Sequence, residues 1–244
     1  MDKLYLTVDL EPDPWTNQIP REETETLLDL FGKRDQRVTW FVTGSLAAVA
    51  PKLVEQIQNR GHEICLHSFE HSRITCLDSL RSELYKSKEF ITKYHPLGFR
   101  APFVDLPSGS LRILKEYGFR FDSSIYGNEV LNEDEIVELP VTSIRLFGSH
   151  RGLPKFPQNF YQALTRGYLP AGGGLLTTLV PRLQLSILKK TKQPVMFIHP
   201  WQLSRHSFKL SWPHPSLLLY RFSCLDYVKN ICLNYRLGKM SELL

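Results

Sequence analysis

No stretch of this 244-residue chain approaches the roughly 18 to 20 consecutive apolar residues that a membrane-spanning helix requires. The longest candidate, around Ala171 to Leu188, is broken by Pro181, Arg182 and a run of glycines. The opening MDKLYLTVDLEPD lacks the long apolar core of a signal peptide and carries Asp9 and Glu11 before any small-residue cleavage site. A soluble, cytoplasmic protein is the expectation. Cysteine is scarce: Cys65, Cys76, Cys224 and Cys232 form no CxxC and no zinc spacing, so reduced and mostly packed thiols are expected. Low-complexity tracts and internal repeats are also absent, and disorder is not expected.

Acid is missing from the second half. No Asp or Glu stands between Glu138 and Asp226, where eleven Lys or Arg fall. Met1 to Glu138 holds 16 basic and 23 acidic residues, and the remainder 14 and 2, so the net charge of +5 hides a strongly cationic second half. That half is either an ordinary solvated surface or a face for anionic lipid or a phosphate-bearing substrate. Nucleic acid is not expected, because no binding module accompanies the charge.

What is present is an alternation of strands and helices. Lys3 to Val8 reads as a β-rich run ending in an acidic cluster, and Leu27, Leu28, Leu30 and Phe31 give Glu22 to Phe31 a helical apolar stripe. Arg37 to Val42 is β-prone, Ser45 opens a helix running to about Arg60, and His62 to Leu66 is a short strand. A polar helix is expected over Asp78 to Tyr94, a strand over Leu97 to Ala101, a helix over Ser108 to Tyr117 and a strand over Phe119 to Ile125. Beyond these, Leu139 to Phe147 reads as a strand, Gly148 to Gly174 as loops, and Leu175 to Lys192 as a helix beyond Pro181. Val195 to Ile198 is a buried strand and Phe222 to Arg236 a final amphipathic helix. The rhythm predicts an α/β fold with a parallel sheet and outer helices, in one domain over 1–244 whose basic portion 205–244 is an appended helix and loop region.

In such architectures the site forms at the carboxyl ends of the strands. Three strands here end in chemically able side chains: Asp9, Glu11 and Asp13 after the first, His67 and His71 in HSFEH, and His199 in MFIHPW. Two imidazoles four residues apart can share a divalent ion from one helical turn, and a carboxylate would complete a site with open positions for water. Asp9 and Glu11, two apart on an extended strand, point the same way, so one can bind metal while the other takes a proton. Each signal alone has a plainer alternative: loop histidines, a solvated acidic turn, a core histidine.

In order and spacing, TVDLEPD, WFVTG, HEICLHSFEH, GFRAPF, GFRFDSS and VMFIHPW resemble the NodB-homology motifs of the polysaccharide deacetylases. The resemblance is greatest to the branch associated with bacterial exopolysaccharide clusters, whose members read TVDVED, RAP and HPWE at these places. It implies a distorted (β/α)7-type NodB barrel with parallel strands and outer helices. It also implies a catalytic base at Asp9, metal histidines at His67 and His71, a base-orienting arginine at Arg100, and a proton donor to the leaving amine at His199. Leu10 stands where a second Asp is usual, and variants with the metal carboxylate one position later put it at Glu11, with Asp13 as the fallback. Phe103 and Trp201 fall where the family lines its acyl and sugar pocket. Many members support the histidine with an acid; Asp122 and Glu138 are the candidates here.

The function so implied is metal-dependent hydrolysis, with one divalent ion expected to be Zn2+, of the N-acyl group, expected to be acetyl, of an amino sugar. The basic half, with Phe208, Trp212 and Leu217 to Phe222 beside Lys209 and Arg221, suggests a sugar carried on a polyprenyl phosphate and peripheral contact with an anionic membrane. Two alternatives stand: a deformylase or other amide hydrolase on the same site, and a glycan-binding module that has lost catalysis.

Overall fold

The first strand, β1 (Lys3–Leu10), is buried along nearly its whole length, and its side chains part by parity. Leu4, Leu6, Val8 and Leu10 join the helix-facing core, whereas Tyr5 joins an inner cluster with Phe41, Cys65, Phe121, Leu139, Val195 and Met240. Thr7 and Asp9 share the parity of Tyr5, so the polar groups of this strand are turned into the curve of the sheet. The same division repeats on the neighbouring strands, where Trp40 and Val42, or Ile64 and Leu66, face the helices and Phe41 and Cys65 face inward. Strands buried on both faces are what a helix-covered parallel sheet demands.

The structure, a computed structural model, describes residues 3–133, 136–146, 160–204 and 222–244. After β1 come β2 (Thr39–Val42), β3 (Glu63–Leu66), β4 (Gly98–Phe99), β5 (Phe121–Asp122), β6 (Tyr126–Gly127), β7 (Leu131–Glu133) and β8 (Ile136–Glu138). Then follow β9 (Val141–Thr142), β10 (Ile144–Arg145), β11 (Tyr168–Leu169), β12 (Val195–Ile198) and β13 (Arg236–Leu237). Among the described residues the main sheet runs β12-β1-β2-β3-β4-β5-β8-β7, with β13 paired to the start of β1. Every pairing along it is parallel except the β7/β8 hairpin.

A glycine ties β12, one end of this sheet, to β9 of the separate β6/β9 pair. The Gly172 N–H donates to Thr142 O on β9 (2.6 Å), its carbonyl accepts from Phe197 N–H on β12 (2.9 Å), and Val195 N–H donates to Thr142 Oγ1 (2.8 Å). A Cβ at Gly172 would lie 2.2 Å from Val195 O, so a side chain there would prise the seam apart. The architecture is the expected α/β one, a distorted barrel of mostly parallel strands.

The outer helices are α1 (Arg21–Gly32), α2 (Gly44–Val49), α3 (Pro51–Asn59), α4 (Leu77–Lys86), α5 (Lys88–Tyr94), α6 (Ser110–Glu116), α7 (Phe160–Thr165), α8 (Gly174–Leu179), α9 (Pro181–Leu188) and α10 (Leu225–Asn234). Four expected stretches differ. Gly148 to Gly174, read as loops, holds the α7 helix and the β11 strand, which pairs with β10. The helix from Ser45 to Arg60 is two, because Pro51 lacks the N–H to continue the first and opens the second. Asp78 to Tyr94 divides at Ser87, whose hydroxyl donates to Glu83 O (2.8 Å). Leu139 to Phe147 is two short strands as far as Arg145, and the β7/β8 hairpin before it was not anticipated.

The C-terminal residues are tied into this framework. Val228, Ile231 and Cys232 of α10, within the expected final helix, enter the helix-facing core, and β13 adds a strand to the sheet. Burying each such aliphatic side chain contributes roughly 1.5 to 3 kcal/mol. Residues 147–159 and 205–221, including the Phe208, Trp212 and Lys209 expected at a membrane, lie outside the described residues. Among the described residues no helix is long and apolar enough to cross a membrane.

Candidate active site

Arg100, in the turn after β4, has no solvent-exposed surface and points into the barrel. Its Nη1 donates to Asp9 Oδ1 and Thr7 Oγ1, both at 2.7 Å, while Nε and Nη2 donate to the Ser123 carbonyl (3.2 Å) and hydroxyl (2.9 Å). The guanidinium also lies 4.1 Å over the Phe41 ring. A buried charge this fully paired is a fixed part of the framework, not a surface ion-pair partner. It locks one oxygen of Asp9, also buried, and leaves Oδ2 turned toward His67 Nε2 at 4.0 Å.

Glu11, His67 and His71 converge beyond that pair. Each offers one atom, and the three atoms all lie within 4.8 Å of one another. Glu11 Oε2 is 2.5 Å from His71 Nε2 and 4.0 Å from His67 Nε2. Ligands about 2.1 Å from a tetrahedral zinc stand roughly 3.4 Å apart, so these separations bracket the fit. Two further observations favour a cation here. Buried Glu11 Oε2 has no hydrogen-bond donor aligned on it. His67 Nδ1 is 2.8 Å from the Arg100 carbonyl, which can only accept, so Nδ1 holds the hydrogen and Nε2 presents its lone pair.

The electrostatics agree. Burial opposes the Glu11 charge, but the His71 and His199 imidazoles outweigh it and bring the carboxyl down to about 2. Burial lowers His67 to about 4, against the pull of Asp9, and so keeps it neutral, as a ligand must be. Burial also lowers His71, but the Glu11 carboxylate overrides this and the net shift is upward.

The HSFEH segment departs from the expected helical turn. It is a loop in which Ser68 (φ 59°) and His71 (φ 57°) are left-handed, so the two imidazoles meet by backbone reversal. The loop is tied down by Glu83 of α4, whose Oε2 accepts the Phe69 and Glu70 N–H groups at 3.0 and 3.1 Å. Phe103, at φ 62°, is half-exposed, with its ring 5.1 Å from His71 and the Arg73 guanidinium 4.7 Å from it. Non-glycine residues in this region cost about 1 to 3 kcal/mol each and collect at functional sites.

His199 follows β12 and aims Nε2 at Glu11 Oε1, 3.6 Å away. Its ring stacks on Trp201 (4.6 Å, 21°). Trp201 itself is buried and donates from Nε1 to Glu11 Oε1 at 3.3 Å, so it forms the wall behind the carboxylate. Asp13 takes the Trp15 and Thr16 N–H groups in a turn (2.8 and 3.0 Å), and Glu11 is the carboxylate that reaches the histidines.

Neither acid considered for His199 is at its side. Asp122 and Glu138 bind Ser124 instead: its hydroxyl donates to Asp122 Oδ1 (2.7 Å), and its N–H is 3.1 and 3.2 Å from Asp122 Oδ2 and Glu138 Oε1. Ser124 Oγ in turn accepts the Ala101 N–H (2.8 Å), so this pair braces the Arg100 turn from below. Burial and the Asp122 charge push Glu138 well above the usual carboxylate range. His199 Nδ1 faces Gln202 Oε1 at 3.3 Å. Gln202, Glu83, Ser123 and Ser124 were missed in the sequence. Only Gln202 left a local trace, three residues after His199 at the start of a helical turn.

The order of these groups along the barrel, carboxylates at the end of β1, histidine loop after β3 and arginine after β4, falls within residues 1–121, which match the Polysaccharide deacetylase family model. Through those residues the chain belongs to the polysaccharide deacetylase family. A "Peptidoglycan deacetylase-like protein" of Gibberella zeae is 32% identical over 108 residues, which cover 42% of this chain and 32% of that protein. The Helicobacter pylori "Peptidoglycan deacetylase" is 30% identical over 108 residues, 42% of this chain and 37% of its own length. The chain spans well under half of each of these relatives. Among solved structures, a candidate polysaccharide deacetylase from Mycobacterium smegmatis superposes with TM-score 0.65 at 21% identity, covering 99% of this chain and 88% of that one. A family 4 carbohydrate esterase pseudoenzyme from Bacillus anthracis gives TM-score 0.56 at 12% identity, with 99% and 65% covered. These likenesses establish the shared fold.

Proposed function

We propose that this polysaccharide deacetylase family member is a metal-dependent hydrolase that removes the N-acetyl group of an amino sugar. The observation that carries the reading is the convergence of buried Glu11 and His67 with half-buried His71 beside the Arg100-locked Asp9. A divalent cation held by those three, with zinc fitting the donor set, would polarise the acyl carbonyl and acidify a bound water. Asp9 Oδ2, left over from the Arg100 bond, takes a proton from the attacking water. Arg100 fixes the orientation of that carboxylate. His199 Nε2 supplies a proton to the departing amine nitrogen as the C–N bond breaks. Phe103, half-exposed beside His71, offers the sugar an apolar face.

The relatives named as peptidoglycan deacetylases support an N-acetylated saccharide as substrate, and the cationic second half favours one carried on a phosphate, such as a polyprenyl-phosphate-linked sugar at an anionic membrane. The test is acetate and formate release by zinc-loaded protein, from free N-acylated glycans and from lipid-linked sugars. Acetate release is expected, with about one divalent ion bound per chain and that ion lost in His67→Ala. Formate in place of acetate would make the protein a deformylase. A bound ion without release of either acid would favour a glycan-binding role.

A further inference from the structure

The residue that orders His199 is a neutral amide, and its own environment dictates which way that amide faces. Gln202, fully buried, donates from Nε2 to the Gly174 carbonyl at the start of α8 (3.1 Å) and lies 3.5 Å from Thr178 Oγ1. A carbonyl cannot donate, so the NH2 end must point there and Oε1 must point at His199. Oε1 accepts the His199 backbone N–H at 2.8 Å and faces Nδ1 at 3.3 Å. Gly174 leaves the room for this: a Cβ there would lie 3.1 Å from Gln202 Nε2. Trp201, stacked at 4.6 Å, and Phe197, edge-on at 5.4 Å, hold the imidazole plane.

We infer that Gln202 is a positioning residue that fixes the orientation and tautomer of His199, so that Nε2 alone is left to exchange a proton with substrate. An acceptor at Nδ1 requires the hydrogen on Nδ1, so the neutral ring presents a lone pair, and the protonated ring its extra proton, at Nε2 on the side of Glu11. In the reaction the C–N bond electrons go to the departing nitrogen, which takes the Nε2 proton. What remains is the Nδ1–H imidazole that Gln202 already holds, and no net charge is left beside it. The proton-transfer part of the inference rests on the deacetylase reading; the tautomer part does not.

Two measurements test it. Nitrogen-15 spectra of the whole protein should show neutral His199 with its hydrogen on Nδ1, and a mixture of tautomers in Gln202→Leu. With the zinc-loaded protein, Gln202→Leu should lower kcat on an N-acetyl glycan about 10- to 100-fold with little change in KM, as expected for partial loss of general-acid assistance. Hydrolysis of 4-nitrophenyl acetate, whose phenolate leaves without a proton, should change less than about twofold in Gln202→Leu. Equal loss on amide and ester would make Gln202 merely structural, and a neutral His199 with its hydrogen on Nε2 would overturn the inference outright. Wild-type protein that carries the Nδ1–H tautomer yet cleaves neither substrate would overturn the deacetylase reading while leaving the tautomer assignment supported.

Discussion

At the scale of single residues, position 10 separates this chain from the usual pattern. The family places a second Asp beside the base, and here Leu10 is fully buried among helix-facing apolar side chains, on the opposite side of β1 from Asp9. Glu11 returns to the Asp9 side, and its extra methylene carries the carboxylate to the histidines. Leu10→Asp should therefore add no ligand. It should cost about 3 kcal/mol or more by burying an unpaired carboxyl, read by chemical denaturation, with zinc affinity no tighter than wild type. Tighter zinc binding in a stably folded variant would show that this parity argument is wrong. Asp9, Glu11 and His67 were legible in the sequence because they end strands whose neighbours are apolar. Arg100 was legible only through its motif, since nothing local says that a strand-end arginine will be buried and bonded to groups 23 to 93 residues away.

At the scale of elements, the loops after the strands matter more than their assigned type. The histidine loop owes its shape to Glu83, twelve or more residues downstream on a helix whose sequence reads as polar and solvent-facing. Glu83→Ala would leave two loop N–H groups without their acceptor, at a cost of about 1 to 3 kcal/mol, and should weaken zinc binding roughly 10- to 100-fold by titration calorimetry. Unchanged zinc affinity would mean that the loop holds its left-handed turns without help. Helix breaks at Pro51 and Pro181 could have been read from proline alone. The β7/β8 hairpin could not, because its short strands are stabilised by pairing with β5 and carry no periodic signal of their own.

At the scale of the whole molecule, the buried carboxyl pair links stability to pH. Glu138, held well above its ordinary value by burial and by Asp122, keeps its proton in the native state. A carboxyl of raised pKa contributes its full stability below the ordinary value of 4.5, and loses it as pH rises toward the native value. Glu138→Gln has no proton to lose. Its melting temperature relative to wild type should climb as pH rises above 4.5. A difference that does not change with pH would mean that the pair shares no proton. Parallel architecture and the convergence of three strand ends were evident from the alternation of elements. How β12 is tied to the separate β6/β9 pair was not, because that depends on one glycine.

That seam has an unequal effect on the two halves of the chemistry. Glu11, His67 and His71 follow β1 and β3, which pair within the continuous sheet, whereas His199 follows β12, the terminal strand that Gly172 ties to β9. Damage at the seam would misplace His199 first and leave Glu11, His67 and His71 in place. On the proposed mechanism such a protein would still bind its cation and substrate, so turnover would decay before recognition does.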